Sequence, residues 1–158
     1  MTNGHVAPPA GIRIRPAEER DLERIHAIER VSFADPWALE GFRDTLEHGR
    51  ARVEVAVGED DVVLGYAVAW FVSDESEIAN LAVAPEARRR RIGMMLLDRI
   101  LEASASFGAR TVFLDVRESN VAAQALYGTR RFEIAGRRKH YYRRPEEDAL
   151  IMRRALSP

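Results

Sequence analysis

Apolar residues change their spacing several times along this chain, and each change marks an element. Ile12 and Ile14 alternate with Arg13 and Arg15 ahead of Pro16, the two-residue period of a short half-buried strand. From Asp21 the period lengthens, so that Leu22, Ile25, Ile28 and Glu29 share one helical face, and Leu39, Phe42 and Leu46 begin a second helix that ends near Gly49. Between them Phe33-Ala34-Asp35-Pro36-Trp37 breaks the pattern, because Pro36 disfavours helix at Asp35. Val53, Val55 and Val57 then alternate with polar or small neighbours, and Gly58-Glu59-Asp60-Asp61 turns into the nearly continuous apolar run from Val62 to Val72, which predicts a hairpin with a central second strand. Ile78 to Val83 forms a further strand that Pro85 stops.

The second half repeats the alternation of types. Ile92, Leu96, Leu97, Ile100 and Leu101 make one apolar helix face with Gly108 as its C-cap, and Val112, Leu114 and Val116 give the next strand. Ser119 or Asn120 is placed to cap a short helix carrying Ala122, Ala125, Leu126 and Tyr127; Phe132-Glu133-Ile134 and Ala149-Leu150-Ile151-Met152 read as two last strands. The fold class is therefore α/β (α+β): one twisted, mainly antiparallel sheet of six to seven strands flanked by about four helices. With 158 residues, 46% of them apolar, the chain predicts a single domain over residues 12–156, preceded by a flexible tail at 1–11 that lacks the apolar core and charged start of a signal peptide.

Charge and cysteine content narrow the chemistry. A formal charge of -1 gives no global field for nucleic acid or anionic lipid, although basic residues bunch at 88–91 and 137–144, so any anion site is local. No cysteine is present, which excludes a disulfide framework and a cysteine nucleophile, and His5, His26, His48 and His140 lack metal-ligand spacing. No stretch reaches the length of a membrane span, and the expected location is the cytoplasm.

The strongest local signal is strand, turn, helix. Leu81-Ala82-Val83-Ala84-Pro85 runs into Arg88-Arg89-Arg90-Arg91-Ile92-Gly93-Met94, where a helix begins. A helix start leaves about four backbone N–H groups unpaired and carries roughly half a positive charge, so it binds phosphate when a turn aims those donors outward. Arginines add charge and forked donors there. Taken alone, the same run is equally a solvated basic helix start or an RNA patch.

In its context this segment resembles the GNAT superfamily of acetyltransferases, whose (I/L)AV-x-P strand end and Q/R-x-x-G-x-G/A turn hold the pyrophosphate of acetyl-CoA. Arg91 stands where the first glycine is usual. If that position takes positive φ an arginine is strained there; in helical geometry its amide still serves. The resemblance covers residues 12–154, and Leu114-Asp115-Val116-Arg117-Glu118-Ser119-Asn120, Ala125-Leu126-Tyr127, Tyr141-Tyr142, Glu147 to Met152 and the early Phe33-Ala34-Asp35-Pro36-Trp37 are similar to the RimI branch. That branch acetylates the N-terminal alanine of a small-subunit ribosomal protein.

What the resemblance implies is specific. Acetyl-CoA, as acetyl donor and with no metal, lies along the main chain of Leu81, Ala82 and Val83, the turn from Arg88 to Met94, and Asn120. Asp115 stands where the branch has its proposed general base, a glutamate, and Glu77 where other members place one; both are candidates, each also readable as an ordinary surface carboxylate. Tyr127 is the candidate acid for the departing thiolate, or else a core aromatic. Trp37, Tyr141 and Tyr142 wall the peptide channel or simply pack, and Asp74, Glu75 and Glu77 stand ready for a cationic N-terminus. The acceptor implied is a ribosomal protein N-terminus, with no nucleic-acid or membrane role. Its rivals are a lysine, a polyamine or another small amine, and a binding module for acyl-CoA or RNA without turnover.

Overall fold

The protein, seen in a computed structural model, is described over residues 11–156. Its strands are β1 (Arg13–Pro16), β2 (Ala51–Val57), β3 (Val63–Val72), β4 (Glu75–Val83), β5 (Thr111–Arg117), β6 (Glu133–Arg143) and β7 (Glu146–Ala155). The helices are α1 (Leu22–Ser32), α2 (Leu39–Glu47), α3 (Ile92–Phe107) and α4 (Val121–Gly128). All the strands form one sheet in the order β1-β2-β3-β4-β5-β7-β6. Every neighbouring pair is antiparallel except β4 and β5, which are parallel, as the helical crossover α3 between them requires.

The central place of β3 follows from its composition. Tyr66, Ala67, Val68 and Ala69 are fully buried in succession, so both sheet faces are covered there. On one face α3 presents Ile92, Leu96, Leu97, Ile100 and Leu101, a stripe at helical spacing and almost fully buried. Each such side chain stabilises the fold by about 2 kcal/mol. Gly65 lets the helix come this close: a Cβ there would lie 3.0 Å from the Ala82 carbonyl oxygen and 3.2 Å from Leu96 Cδ1. On the other side of the core, Leu22, Ile25, Ile28 and Phe42 from α1 and α2 are buried.

Two expectations need correction, and one choice is resolved. The strands foreseen at 132–134 and 149–152 belong to a much longer hairpin, β6–β7, hidden in the sequence because its outer strand is polar and almost wholly exposed. The fourth strand begins at Glu75 rather than Ile78, since its solvent-facing residues alternate with buried Ser76 and Ile78. The cap of α4 is Asn120, whose Oδ1 accepts the Ala123 amide at 3.1 Å, and Ser119 lies outside the helix. The expected tail, apart from Gly11, falls outside the described residues. Among the described residues no helix is long and apolar enough to cross a membrane.

Candidate active site

The parallel ladder between β4 and β5 stops early. Its register runs from Glu75 with Thr111 to Ile78 with Leu114, and among the described residues Ala79 to Val83 have no strand partner on that side. On the opposite edge the β3 register jumps from Ala69–Ile78 to Val68–Asn80, so Ala79 is a bulge residue. A bulge increases local twist, and here it coincides with the point where the strands part. The resemblance to the GNAT superfamily implies such a bulge, splaying this strand from its neighbour and freeing its amides, although nothing in the residues themselves marks it.

Beyond the parted strands, Ala84 and Ala87 are buried and anchor the turn that leads into α3. Arg24 adds a tether, bonding the Val63 carbonyl at 3.1 Å and the Glu86 carboxylate. The following residues turn sharply: Arg89 and Arg91 both take left-handed backbone, at φ 66° and 62°. For a non-glycine residue that conformation costs roughly 1 to 2 kcal/mol. Arg91 is the N-cap of α3 and supplies no side-chain cap. In consequence, among the described residues no main-chain acceptor takes the amides of residues 89–94. Consecutive unpaired donors at the positive end of a 16-residue helix, flanked by exposed arginines, fit a diphosphate.

Gly93 connects this turn to the parted strands. A Cβ built on it would meet Leu126 of α4 at 3.4 Å and Val83 and Leu81 of β4 at 3.8 and 3.9 Å, so α3, α4 and β4 approach one another here. Leu81 also lines a cleft of about 470 Å³. Glu77 and Leu81 of β4, Asp115 of β5, Asn120 and Tyr127 of α4, Tyr141 and Tyr142 of β6, and Trp37 all line it. A second hollow of about 380 Å³ shares Glu77 and Asp115 with it and adds Glu75 and Trp70. Asp74 lines neither. The remaining residues named from sequence, Ala82, Val83 and the turn from Arg88 to Met94, line neither hollow.

Glu77 and Asp115 face the same side of the sheet, because Glu77 is in register with Phe113, two residues before Asp115. Partial burial raises the pKa of Glu77, the Asp115 charge raises it further, and the Arg138 charge opposes both. Asp115 is not free: Arg138 Nε lies 3.3 Å from its Oδ1. Tyr127 is 7% exposed, packs its ring edge-on against Phe132 at 5.7 Å, and is pushed up to about 12 by burial and by Tyr142. Tyr142 likewise rises to about 12, through burial and then the Asp115 charge. Hydroxyls in such surroundings stay protonated throughout the physiological range.

Several residues that shape the cleft had no role assigned to them from sequence. Arg117 holds the β6–β7 hairpin against the cleft, bonding the carbonyls of Pro145 and Arg144 at 3.0 and 3.2 Å and lying 4.2 Å over the Tyr142 ring. Glu147 accepts the Ser119 amide at 2.7 Å and pairs with Arg117 at 3.2 Å. Glu29, Tyr66 and Asn80 form a buried polar knot at the edge of the cleft. One signal was available for Glu29: a carboxylate on the apolar stripe of a helix, where charged residues are rarely buried without partners.

The geometry is that of an acyl-transfer site, and comparison with known proteins agrees. Residues 22–132 match the family model described as Acetyltransferase (GNAT) family. The chain is 34% identical over 139 residues to the [Ribosomal protein bS18]-alanine N-acetyltransferase of Salmonella typhimurium, covering 87% of this chain and 93% of that one. Identity to the Escherichia coli protein of the same name is 32% over 142 residues, with 89% and 95% covered. The crystal structure of the ribosomal-protein-S18-alanine N-acetyltransferase from Escherichia coli superposes with a TM-score of 0.85 at 31% identity, over 93% of this chain and 95% of that one. With the turn, the parted strands and the cleft all in place, the chain belongs to the acetyltransferase (GNAT) family and is an acetyl-CoA-dependent N-acetyltransferase similar to the RimI branch.

Proposed function

We propose that this enzyme acetylates the N-terminal α-amine of a protein, and that its acceptor is the N-terminal alanine of ribosomal protein bS18, the substrate in the names of its relatives. The observation that carries the reading is the parting of β4 from β5 after Ile78, which leaves Glu77, Asp115 and Tyr127 around one cleft. Acetyl-CoA supplies a thioester; an N–C bond to the acceptor forms and the C–S bond breaks. Unpaired amides of residues 89–94 hold the diphosphate, and the unpartnered edge of β4 from Ala79 to Val83 aligns the pantetheine and polarises the carbonyl.

Glu77 is the base. An N-terminal ammonium has a pKa of ~7.7 to 8.0, and a carboxylate raised above the ordinary ~4.3 accepts its proton with less uphill cost, directly or through one water. Asp115, held by Arg138, raises that affinity electrostatically. Tyr127 donates a hydrogen bond to the departing sulfur. Its pKa of about 12 lies above the ~8.5 of a thiol, so donation stabilises the thiolate before any full proton transfer. Trp37, Tyr141 and Tyr142 enclose the acceptor, and Asn120 meets the pantetheine arm while capping α4.

Mass spectrometry tests the reading on an Ala-Arg-starting peptide, beside the same peptide with its α-amine blocked. Modification of the free peptide alone is expected. Equal modification of both would transfer the assignment to a lysine acceptor.

A further inference from the structure

Glu29 is the most deeply buried carboxylate near the site, with 1% of its surface exposed on the apolar face of α1. Burying such a group is costly unless donors replace its water. Here the donors come from three different elements. Tyr66 of β3 donates its hydroxyl to Oε1, Asn80 of β4 donates Nδ2 to the same oxygen at 2.8 Å, and the Trp37 amide donates to Oε2 at 2.8 Å. Among the described residues no Lys or Arg pairs with it.

The choice of partners is informative. Asn80 is the first residue after the bulge at Ala79, where β4 has left β5. Trp37 belongs to the connection between α1 and α2, residues 33–38, and walls the acceptor cleft. That connection has no regular structure, and Pro36 offers no amide. Among the described residues, the Trp37 amide makes the one hydrogen bond that ties residues 34–38 back to α1, while the Gly41 amide of α2 donates to the Ala38 carbonyl at 3.0 Å; the one ion pair, Asp35 with Arg144 at 3.9 Å, is exposed. Rings continue the contact, Trp37 to Phe42 at 5.2 Å and Phe42 to Tyr66 at 5.6 Å, closing a circuit back to Glu29. If only stability were served, an apolar side chain of similar volume would do as well or better.

We propose that Glu29 is the positioning residue for the acceptor: its carboxylate clamps the Trp37 wall to the freed half of β4, and so holds the acceptor channel in register with the thioester. The proposal rests on the N-terminal amine reading above. Glu29→Gln is nearly isosteric and separates the two. Glutamine offers one acceptor oxygen, so if it keeps Tyr66 and Asn80 it turns an NH₂ toward the Trp37 amide and releases the connection. The KM for the Ala-Arg-starting peptide is expected to rise about tenfold or more, with the Kd for acetyl-CoA and kcat changed less than about threefold. Amide hydrogen exchange at residues 34–38 is expected to quicken in the same variant, read without any acceptor present.

Glu54→Gln is the control. Glu54 is also 1% exposed, but it sits on β2 away from the cleft, its Oε2 has no partner, and burial raises its pKa. A raised pKa in the fold means stability lost as pH rises through it, so the neutral amide is expected to raise Tm at pH 7 while leaving the peptide KM unmoved. An unchanged exchange rate at residues 34–38 in Glu29→Gln, or a rise in acetyl-CoA Kd equal to that in peptide KM, would overturn the positioning role. Failure of the wild type to modify the peptide would instead overturn the acceptor reading, and the exchange experiment still decides the role of Glu29.

Discussion

The two halves of the cleft are made of different material. In the proposed reading, the groups offered to the diphosphate and to most of the pantetheine are main-chain amides, of residues 89–94 and the open edge of β4, with Asn120 as the side-chain exception. On the acceptor side the same reading offers side chains, Glu77, Asp115 and the aromatics Trp37 and Tyr142 tied to Glu29 and Arg117, while Tyr127, assigned to the departing sulfur, stands where the two sides meet. Main-chain donors exist whatever the residue, so the donor side depends on backbone path and tolerates unusual sequence, including arginines where left-handed geometry favours glycine. Side-chain chemistry has no such tolerance. The acceptor side therefore responds to single atoms, and the donor side to packing that shapes the backbone.

Substitutions on each side put this contrast at risk. The largest effect is expected from Tyr127→Phe, which removes one side-chain hydroxyl where the halves meet: turnover falls by roughly 10²- to 10³-fold while calorimetric acetyl-CoA affinity holds within about twofold. A parallel loss of affinity would blur the division. Gly65→Ala is the donor-half counterpart, acting with no polar atom changed. Its Cβ would press on Ile92 and Leu96, shift the start of α3, and cost about 1 to 3 kcal/mol by denaturant unfolding, with weaker acetyl-CoA binding.

Next come the charges around Glu77. The acidic limb of kcat/KM reports its ionisation in the free enzyme, so Asp115→Asn, which deletes a repelling charge, moves that limb to lower pH, and Arg138→Ala moves it higher. Shifts of the opposite sign, or none, would take the base role from Glu77. The smallest effect is expected from Arg91→Gly, which relieves left-handed strain and raises stability by about 1 kcal/mol in thermal melts, with acetyl-CoA affinity reduced less than about threefold. A collapse of affinity there would show that the Arg91 side chain, rather than its amide, holds the diphosphate.

The sequence showed these halves unequally. The donor half was legible because it is contiguous: Leu81 to Pro85, the arginines and Gly93 stand in one run, and a helix start after a strand has known chemistry. Gly108 at φ 99° bears out the expected C-cap by the same local logic. Local rules failed where a polar strand ran along an exposed edge, as in β6, because alternation needs a buried face to be visible. At the α4 cap they offered two good residues, Ser119 and Asn120, and the fold took Asn120.

By itself the sequence determined the order and type of the elements, the apolar stripe that seats α3, and the identity of the titratable groups available to the cleft. Tertiary structure decided which of those groups meet. The bulge at Ala79, the early end of the β4–β5 ladder, the bond between Arg138 and Asp115, and the convergence of Tyr66, Asn80 and Trp37 on Glu29 all join residues distant in the chain. Periodicity reports how one segment faces its own core. A hydrogen bond between segments depends on how strands twist and where they part, and that is fixed only when the whole sheet is assembled.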